Sequence, residues 1–374
     1  MNGKHVIAMI LATSAASSFA EPLVSPEVHA DGRVTFRLNA PGATGVVVRC
    51  EGKTWPMQID TQGVWSVTSE ALEPDIYAYS FLVDGLGIVD PANPFLKRNL
   101  IFTESQVHVP GPLTLPWEIN DVPHGVIHRH HYRSKIIGDE RDLLVYTPPG
   151  YQAAARKTYP VLYLLHGFSD PESAWIDAGR ANVILDNLIA RKKAVPMIVV
   201  MPLGYGNRQI LAGGWEAFRV PNWQTYHDDS FAKFRESLYQ EIMPMVERDY
   251  RVSTARTSRA IAGLSMGGEQ SLVFGLNAPD RFAWVGAFSS GGLGKMDFEQ
   301  RFPDLNRGAG RRFRLIWLAC GTEDKLLASN RGFEQWLQTK GVTHQWLETP
   351  GAHSFVVWRR YLAEFVPHLF QRNQ

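Results

Sequence analysis

The stretch Ala260-Ile261-Ala262-Gly263-Leu264-Ser265-Met266-Gly267-Gly268 decides how this chain is read. An apolar strand runs into Gly-x-Ser-x-Gly, and Glu269-Gln270-Ser271-Leu272-Val273-Phe274 continues as a helix. A serine on such a sharp strand-to-helix turn is displayed as a nucleophile. The glycines are needed because the turn leaves no room for side chains beside the serine. The serine also opens a helix, whose N-terminal dipole favours a developing negative charge. A five-residue match alone arises easily in Gly-rich turns; the strand before it and the helix after it make it informative.

Working outward, residues 159–165, 197–201 and 315–320 are nearly continuous apolar runs. Strands apolar on both faces belong to a parallel sheet covered on both sides. Residues 141–149 read as a further strand that ends in a turn. Ala181–Ala190 and residues 230–249 read as helices, the second with Phe231, Phe234, Leu238, Ile242 and Val246 on one stripe. Strand–helix alternation over about 250 residues predicts an open α/β sheet for residues 125–374. Residues 21–110 differ: short apolar stretches such as 34–38, 46–48, 63–67 and 77–85 alternate with turns and predict a small all-β, immunoglobulin-like sandwich. Pro110-Gly111-Pro112 and Pro116 mark 111–124 as a linker. Residues 1–20 carry Lys4 and His5, a short apolar run and the small residues Ser18-Phe19-Ala20, the pattern of a signal peptide cleaved after Ala20. Export to the periplasm or medium is the expectation.

Composition narrows the function. Of 374 residues, 45% are hydrophobic and 20% charged, and a formal charge of +1 gives no support for nucleic-acid binding. No apolar run is long enough to span a membrane. Cys50 and Cys320 are expected as buried free thiols, and two cysteines cannot build a structural zinc site.

A serine hydroxyl needs a base, and the elbow topology puts an acid and then a histidine downstream. His353, in the loop Pro350-Gly351-Ala352-His353-Ser354-Phe355, can reach over the sheet edge. His344 reads as a strand histidine on a solvated face, and His368 sits inside a helix-like stretch. Asp324 follows the 315–320 strand through Gly321-Thr322-Glu323 and is the expected acid, with Glu323 as runner-up; Asp297 and Asp304 read as solvated loop residues. The oxyanion amides are expected at Met266, just after the nucleophile, and at Phe168, in the loop Leu164-Leu165-His166-Gly167-Phe168. His166 reads as structural. His128-Arg129-His130-His131 reads as a polar edge strand rather than a metal site; neither metal nor cofactor is expected. Trp175, and Trp223 in the 204–229 loop that also carries Trp215, could stack on a sugar or phenolic ring. Trp55 and Trp65 read as sandwich core.

Taken together, His166-Gly167-Phe168, the Ser265 elbow, Gly321-Thr322-Glu323-Asp324 and Gly351-Ala352-His353-Ser354-Phe355 resemble the feruloyl esterase and acetylxylan esterase family of carbohydrate esterases. Enterochelin esterases share a similar fold. The N-terminal part, with its Asp90-Pro91-Ala92-Asn93-Pro94 turn, resembles the immunoglobulin-like, glycan-binding-related domain that precedes such esterases. The resemblance implies an α/β-hydrolase fold, a Ser265–Asp324–His353 triad, and a feruloyl or acetyl ester on polysaccharide, or a small phenolic ester, as substrate. Three other readings stand beside it: a siderophore esterase, for which Arg208 and Arg219 in the 204–229 loop would suit an anionic substrate; an acyltransferase; and a glycan-binding scaffold without catalysis.

Overall fold

The computed structural model describes residues 22–154, 156–306 and 309–371; the expected signal segment lies outside them. The N-terminal part is a sandwich of two antiparallel sheets. One holds Glu27–Val28, Val34–Asn39, Val64–Thr68 and Gln58–Ile59, in that spatial order. The other is ordered Lys53–Pro56, Val46–Cys50, Asp75–Val83, Glu104–Val109 and Leu96–Lys97, with Leu86–Ile88 hairpinned onto Asp75–Val83. Their inner faces bury Val34, Phe36, Leu38, Val46, Val48, Tyr79, Phe81 and Val107. Trp65 belongs to this core, and Trp55 stacks on Phe36 at 6.1 Å.

The second part is an eight-stranded sheet ordered Val126–Arg133, Glu140–Thr147, Ile198–Pro202, Val161–Leu165, Arg259–Leu264, Trp284–Phe288, Leu315–Gly321 and Gln345–Thr349. The first two pairings in this order are antiparallel and the remaining five are parallel. Strand alternation divides the core. Val161, Tyr163 and Leu165 face a layer with Phe231, Phe234 and Leu272, while Leu162 and Leu164 face one with Ile184, Leu188 and Tyr361. Both faces are covered, as the uninterrupted apolar runs require.

Three elements differ from expectation. The 111–124 segment is a packed strap: Trp117 and Glu118 are buried, and Asn187 donates to the carbonyls of Pro116 and Glu118 at 2.8 and 2.7 Å. Its Pro and Gly content signals irregular backbone, but Trp117 inserts into the core. The helix expected at 230 begins at Trp223, inside the supposed loop, and runs as Trp223–Ser237, a π turn Leu238–Ile242, and Met243–Asp249. Its apolar stripe advances mostly by four residues, more than 3.6, and Pro244 cannot donate to the preceding turn; a wider turn accommodates both. His344 precedes the last strand instead of sitting within it. Its side chain is buried against Glu334 at 3.3 Å, not solvated. The His128–His131 run does form the edge strand Val126–Arg133. There His130 contacts the Tyr250 hydroxyl and His131 pairs with Asp142. Cys50 and Cys320 are free and buried.

Candidate active site

Ser265 sits between the strand Arg259–Leu264 and the helix Met266–Leu276, with φ 51° and ψ −115°. A non-glycine residue there is strained by about 1–3 kcal/mol and persists only if its surroundings fix it. They do: its amide donates to Phe288 O at 2.9 Å, and its carbonyl accepts from Gly291 at 2.9 Å and Glu269 at 3.1 Å. Gly267 is required by close approach, since a Cβ there would lie 2.5 Å from the carbonyl oxygens of Leu165 and His166.

The expected partners converge on this serine. His353 Nε2 lies 2.9 Å from Ser265 Oγ, and His353 Nδ1 lies 2.7 Å from Asp324 Oδ2. Asp324 is buried, and the Leu326 amide donates to its Oδ1 at 2.9 Å. Burial alone would raise the Asp324 pKa. The hydrogen bond and charge of His353, with the Leu326 amide, outweigh it and hold the carboxyl below the usual carboxylate range. Glu323, the runner-up, is exposed at the mouth.

Met266 and Phe168 both line the same cavity as Ser265. As the first residue of its helix, Met266 has an amide with no intrahelical acceptor. The Phe168 amide is aimed indirectly. Its peptide partner, the Gly167 carbonyl, accepts from His166 Nδ1 at 2.8 Å and from the Tyr205 hydroxyl at 3.1 Å. In a planar trans peptide the N–H points opposite to that anchored C=O. Gly167 also lets the loop lie close: a Cβ there would be 2.6 Å from Leu264 Cδ1 and 3.4 Å from Ser265 Cβ. His166 is the structural residue expected. Its Nε2 accepts the Gly204 amide at 2.8 Å, which fixes the neutral Nδ1–H tautomer, and burial pushes its pKa down to about 4.

The cavity measures about 680 Å³. One wall is aromatic: Phe168, Trp215, Phe218 and Trp223, with Phe168–Phe218 and Phe218–Trp223 ring centroids 4.8 and 4.9 Å apart. Trp223 thus lines the cavity. Trp175 does not: it is fully buried, donates its indole N–H to Leu165 O at 2.9 Å, and packs behind Phe355 at 5.7 Å. Its expected contact with substrate gives way to core packing, because a ring closed off by Phe355 and Phe288 meets no ligand. Arg208 and Arg219 are exposed and paired, with Asp139 and Glu216, and are absent from the cavity wall.

Sequence reasoning missed two groups. Lys97, Asn99 and Glu104 come from the β domain yet line the cavity. Lys97 pairs with Glu104 at 2.9 Å, and burial pushes the facing Asp170 up to about 6 despite the pull of Lys97 and the Gly167 amide. No motif marks these residues. The second group is His227 and Glu269, both buried, 3.3 Å apart, with His227 flanked by Trp223 and Phe231. Burial opposes charge on His227, but the hydrogen bonds and charges of Glu269 and Asp228 raise its pKa. Glu269 lies one helical turn beyond Ser265, the one hint the sequence offered. Among the described residues no cluster of three or more His, Cys, Asp or Glu could hold a metal, and no helix is long and apolar enough to cross a membrane.

The chain is similar to known esterases. The family model Esterase, described as "Putative esterase", matches residues 134–369. An endo-1,4-beta-xylanase/feruloyl esterase of Xylanibacter ruminicola is 30% identical over 356 residues, covering 92% of this chain and 46% of that protein. An esterase of Mycobacterium tuberculosis is 26% identical over 271 residues, 60% of this chain and 55% of its own length. The chain thus spans about half the length of these relatives. Among solved structures, a ferulic acid esterase of Anaeromyces mucronatus aligns with a TM-score of 0.59 and 26% identity, covering 70% of this chain and 96% of that one. The enterobactin esterase of Shigella flexneri shares the fold across both domains, with a TM-score of 0.65 at 21% identity, covering 91% and 93%.

Proposed function

The chain belongs to the Esterase family, and on that premise we propose that it is an exported serine esterase that removes feruloyl or acetyl groups from plant polysaccharide. The observation that carries the reading is the continuous chain Ser265–His353–Asp324, with contacts of 2.9 and 2.7 Å, opening into an aromatic-walled cavity.

The chemistry follows from the geometry. Ser265 Oγ attacks the ester carbonyl while His353 Nε2 takes its proton. Asp324 holds the imidazole with Nδ1–H inward and stabilises the imidazolium. The amides of Met266 and Phe168 receive the oxyanion. His353 then protonates the leaving alkoxide, and the alcohol departs. Water, activated by the same histidine, attacks the acyl-enzyme and releases the acid. An alcohol in place of water would give the acyltransferase reaction.

A feruloyl group is flat and aromatic, and the Phe168–Phe218–Trp223 wall offers ring faces to stack on. The xylanase/feruloyl esterase name of the Xylanibacter relative supports the same substrate class. The siderophore reading loses its residue-level support, since Arg208 and Arg219 are turned away from the cavity. Export rests on the 1–20 sequence pattern.

The test is initial-rate hydrolysis of methyl ferulate and 4-nitrophenyl acetate by the purified protein, with Ser265→Ala as control. The expected result is a Ser265-dependent rate on both, higher kcat/KM on ferulate. Equal rates from Ser265→Ala would overturn the mechanism, and acetate cleavage alone would overturn the feruloyl assignment.

A further inference from the structure

The oxyanion loop 167–170 is held from two sides. His166 and Tyr205, from its own domain, anchor the Gly167 carbonyl. The second grip comes from the β domain. Asn99 Nδ2 donates to Ser169 Oγ at 2.8 Å and approaches Asp170 Oδ1 at 3.4 Å, and the Leu100 amide donates to the Ser169 carbonyl at 2.7 Å. The orientation of the Asn99 amide is set by its own loop, because Oδ1 accepts from the amides of Ile101 and Phe102 at 2.9 and 3.1 Å. Only the NH₂ is left to face the oxyanion loop.

Ser169 is where the loop needs such help. It is a buried non-glycine residue at φ 71°, in the left-handed region. A residue held there relaxes when its restraints are removed. It directly follows Phe168, whose amide must aim at the oxyanion, and precedes Asp170, whose Oδ2 accepts the Gly167 amide at 3.3 Å. Relaxation at Ser169 would therefore shift the Phe168 amide.

We propose that Asn99 is a positioning residue: through Ser169 and Asp170 it holds the Phe168 amide in oxyanion-binding geometry, so that the β domain completes the catalytic machinery of its neighbour. The inference rests on the esterase reading. It differs from a substrate-binding role for Asn99, which would act on KM and depend on the size of the ester.

The experiment uses the full chain with Asn99→Ala, Ser169→Ala and the double variant, assayed on 4-nitrophenyl acetate and methyl ferulate beside wild type and Ser265→Ala. Misplacing one oxyanion donor predicts a kcat loss of roughly 10- to 100-fold on both esters, with KM within about twofold. Ser169→Ala removes the same bond from the other side and should reproduce the loss, so the inference stays testable if Asn99→Ala folds poorly. The double variant should be no slower than the slower single. Unchanged kcat in Ser169→Ala and Asn99→Ala overturns the inference, as does a loss confined to KM for methyl ferulate. Wild-type rates no higher than those of Ser265→Ala would instead overturn the esterase reading on which it rests.

Discussion

Arg359 donates to Asp75 across the domain boundary, from Nε at 3.0 Å and Nη2 at 2.6 Å, with both side chains buried. Arg359 also donates to the carbonyls of Ala178 and Ile76, and Arg360 reaches the other Asp75 oxygen at 3.2 Å. Arg359 lies on the helix Phe355–Phe365, which begins two residues after His353. The loop that holds His353 thus runs directly into a helix bolted to the β domain.

Removing one member of a buried ion pair strands the other. Arg359→Ala should destabilise the protein by about 3–5 kcal/mol, because Asp75 keeps a buried charge with only Arg360 to offset it. Urea denaturation of the variant checks this. A loss below about 1 kcal/mol would mean that the pair is dispensable.

Asp324→Asn should lower kcat by roughly 10⁴ while leaving the fold intact. The Leu326 amide claims an oxygen at the Oδ1 position, so the asparagine would turn its NH₂ toward His353 Nδ1. That forces the proton onto Nε2, where it cannot accept one from Ser265. Ser265→Ala should lose roughly 10⁶, the scale seen when a triad nucleophile is removed. Steady-state kinetics with far-UV circular dichroism separate catalysis from unfolding.

His166 should stay neutral, with its proton on Nδ1, down to about pH 4. Its folded pKa lies below the ordinary histidine value near 6.5. Between those values the unfolded chain binds a proton that the native one refuses. The associated stability, roughly 3 kcal/mol, is present above about pH 6.5 and is lost as pH falls toward 4. Imidazole titration by NMR reads this directly, and a His166 midpoint near 6.5 would contradict it.

Trp223→Ala should raise KM for methyl ferulate about tenfold and leave 4-nitrophenyl acetate within about twofold, on the scale of one lost aromatic contact. Trp175→Ala should act differently. It removes a fully buried ring and should cost about 3–5 kcal/mol of stability. Paired kinetic and melting measurements on the two variants distinguish cavity wall from core.

Much of the fold was legible because it is written locally. The runs 159–165, 197–201 and 315–320 became interior strands, since a strand buried on both faces must be apolar throughout. Ala181–Ala190 formed as read. The candidate triad was legible too. The elbow requires glycine, and strand-end loops are where an acid and a histidine can reach the serine, so Asp324 and His353 stood out by context. The helix start at Trp223 was missed, because Gln224, Tyr226 and His227 show no amphipathic pattern until Phe231 and Phe234 pack beneath them.

Sequence by itself singled out Ser265, Asp324 and His353 as the candidate triad and determined the layered sheet, each encoded by neighbours along the chain or by the period of a strand. Only the tertiary structure decided which rings face the cavity, since Trp175 and Trp223 both follow strands of the sheet and differ in what packs against them. It alone brought Lys97, Asn99 and Glu104 to the cavity and Asp75 to Arg359. Those contacts join residues up to 284 positions apart, and no local pattern specifies them. They depend on how distinct hydrophobic cores pack against each other.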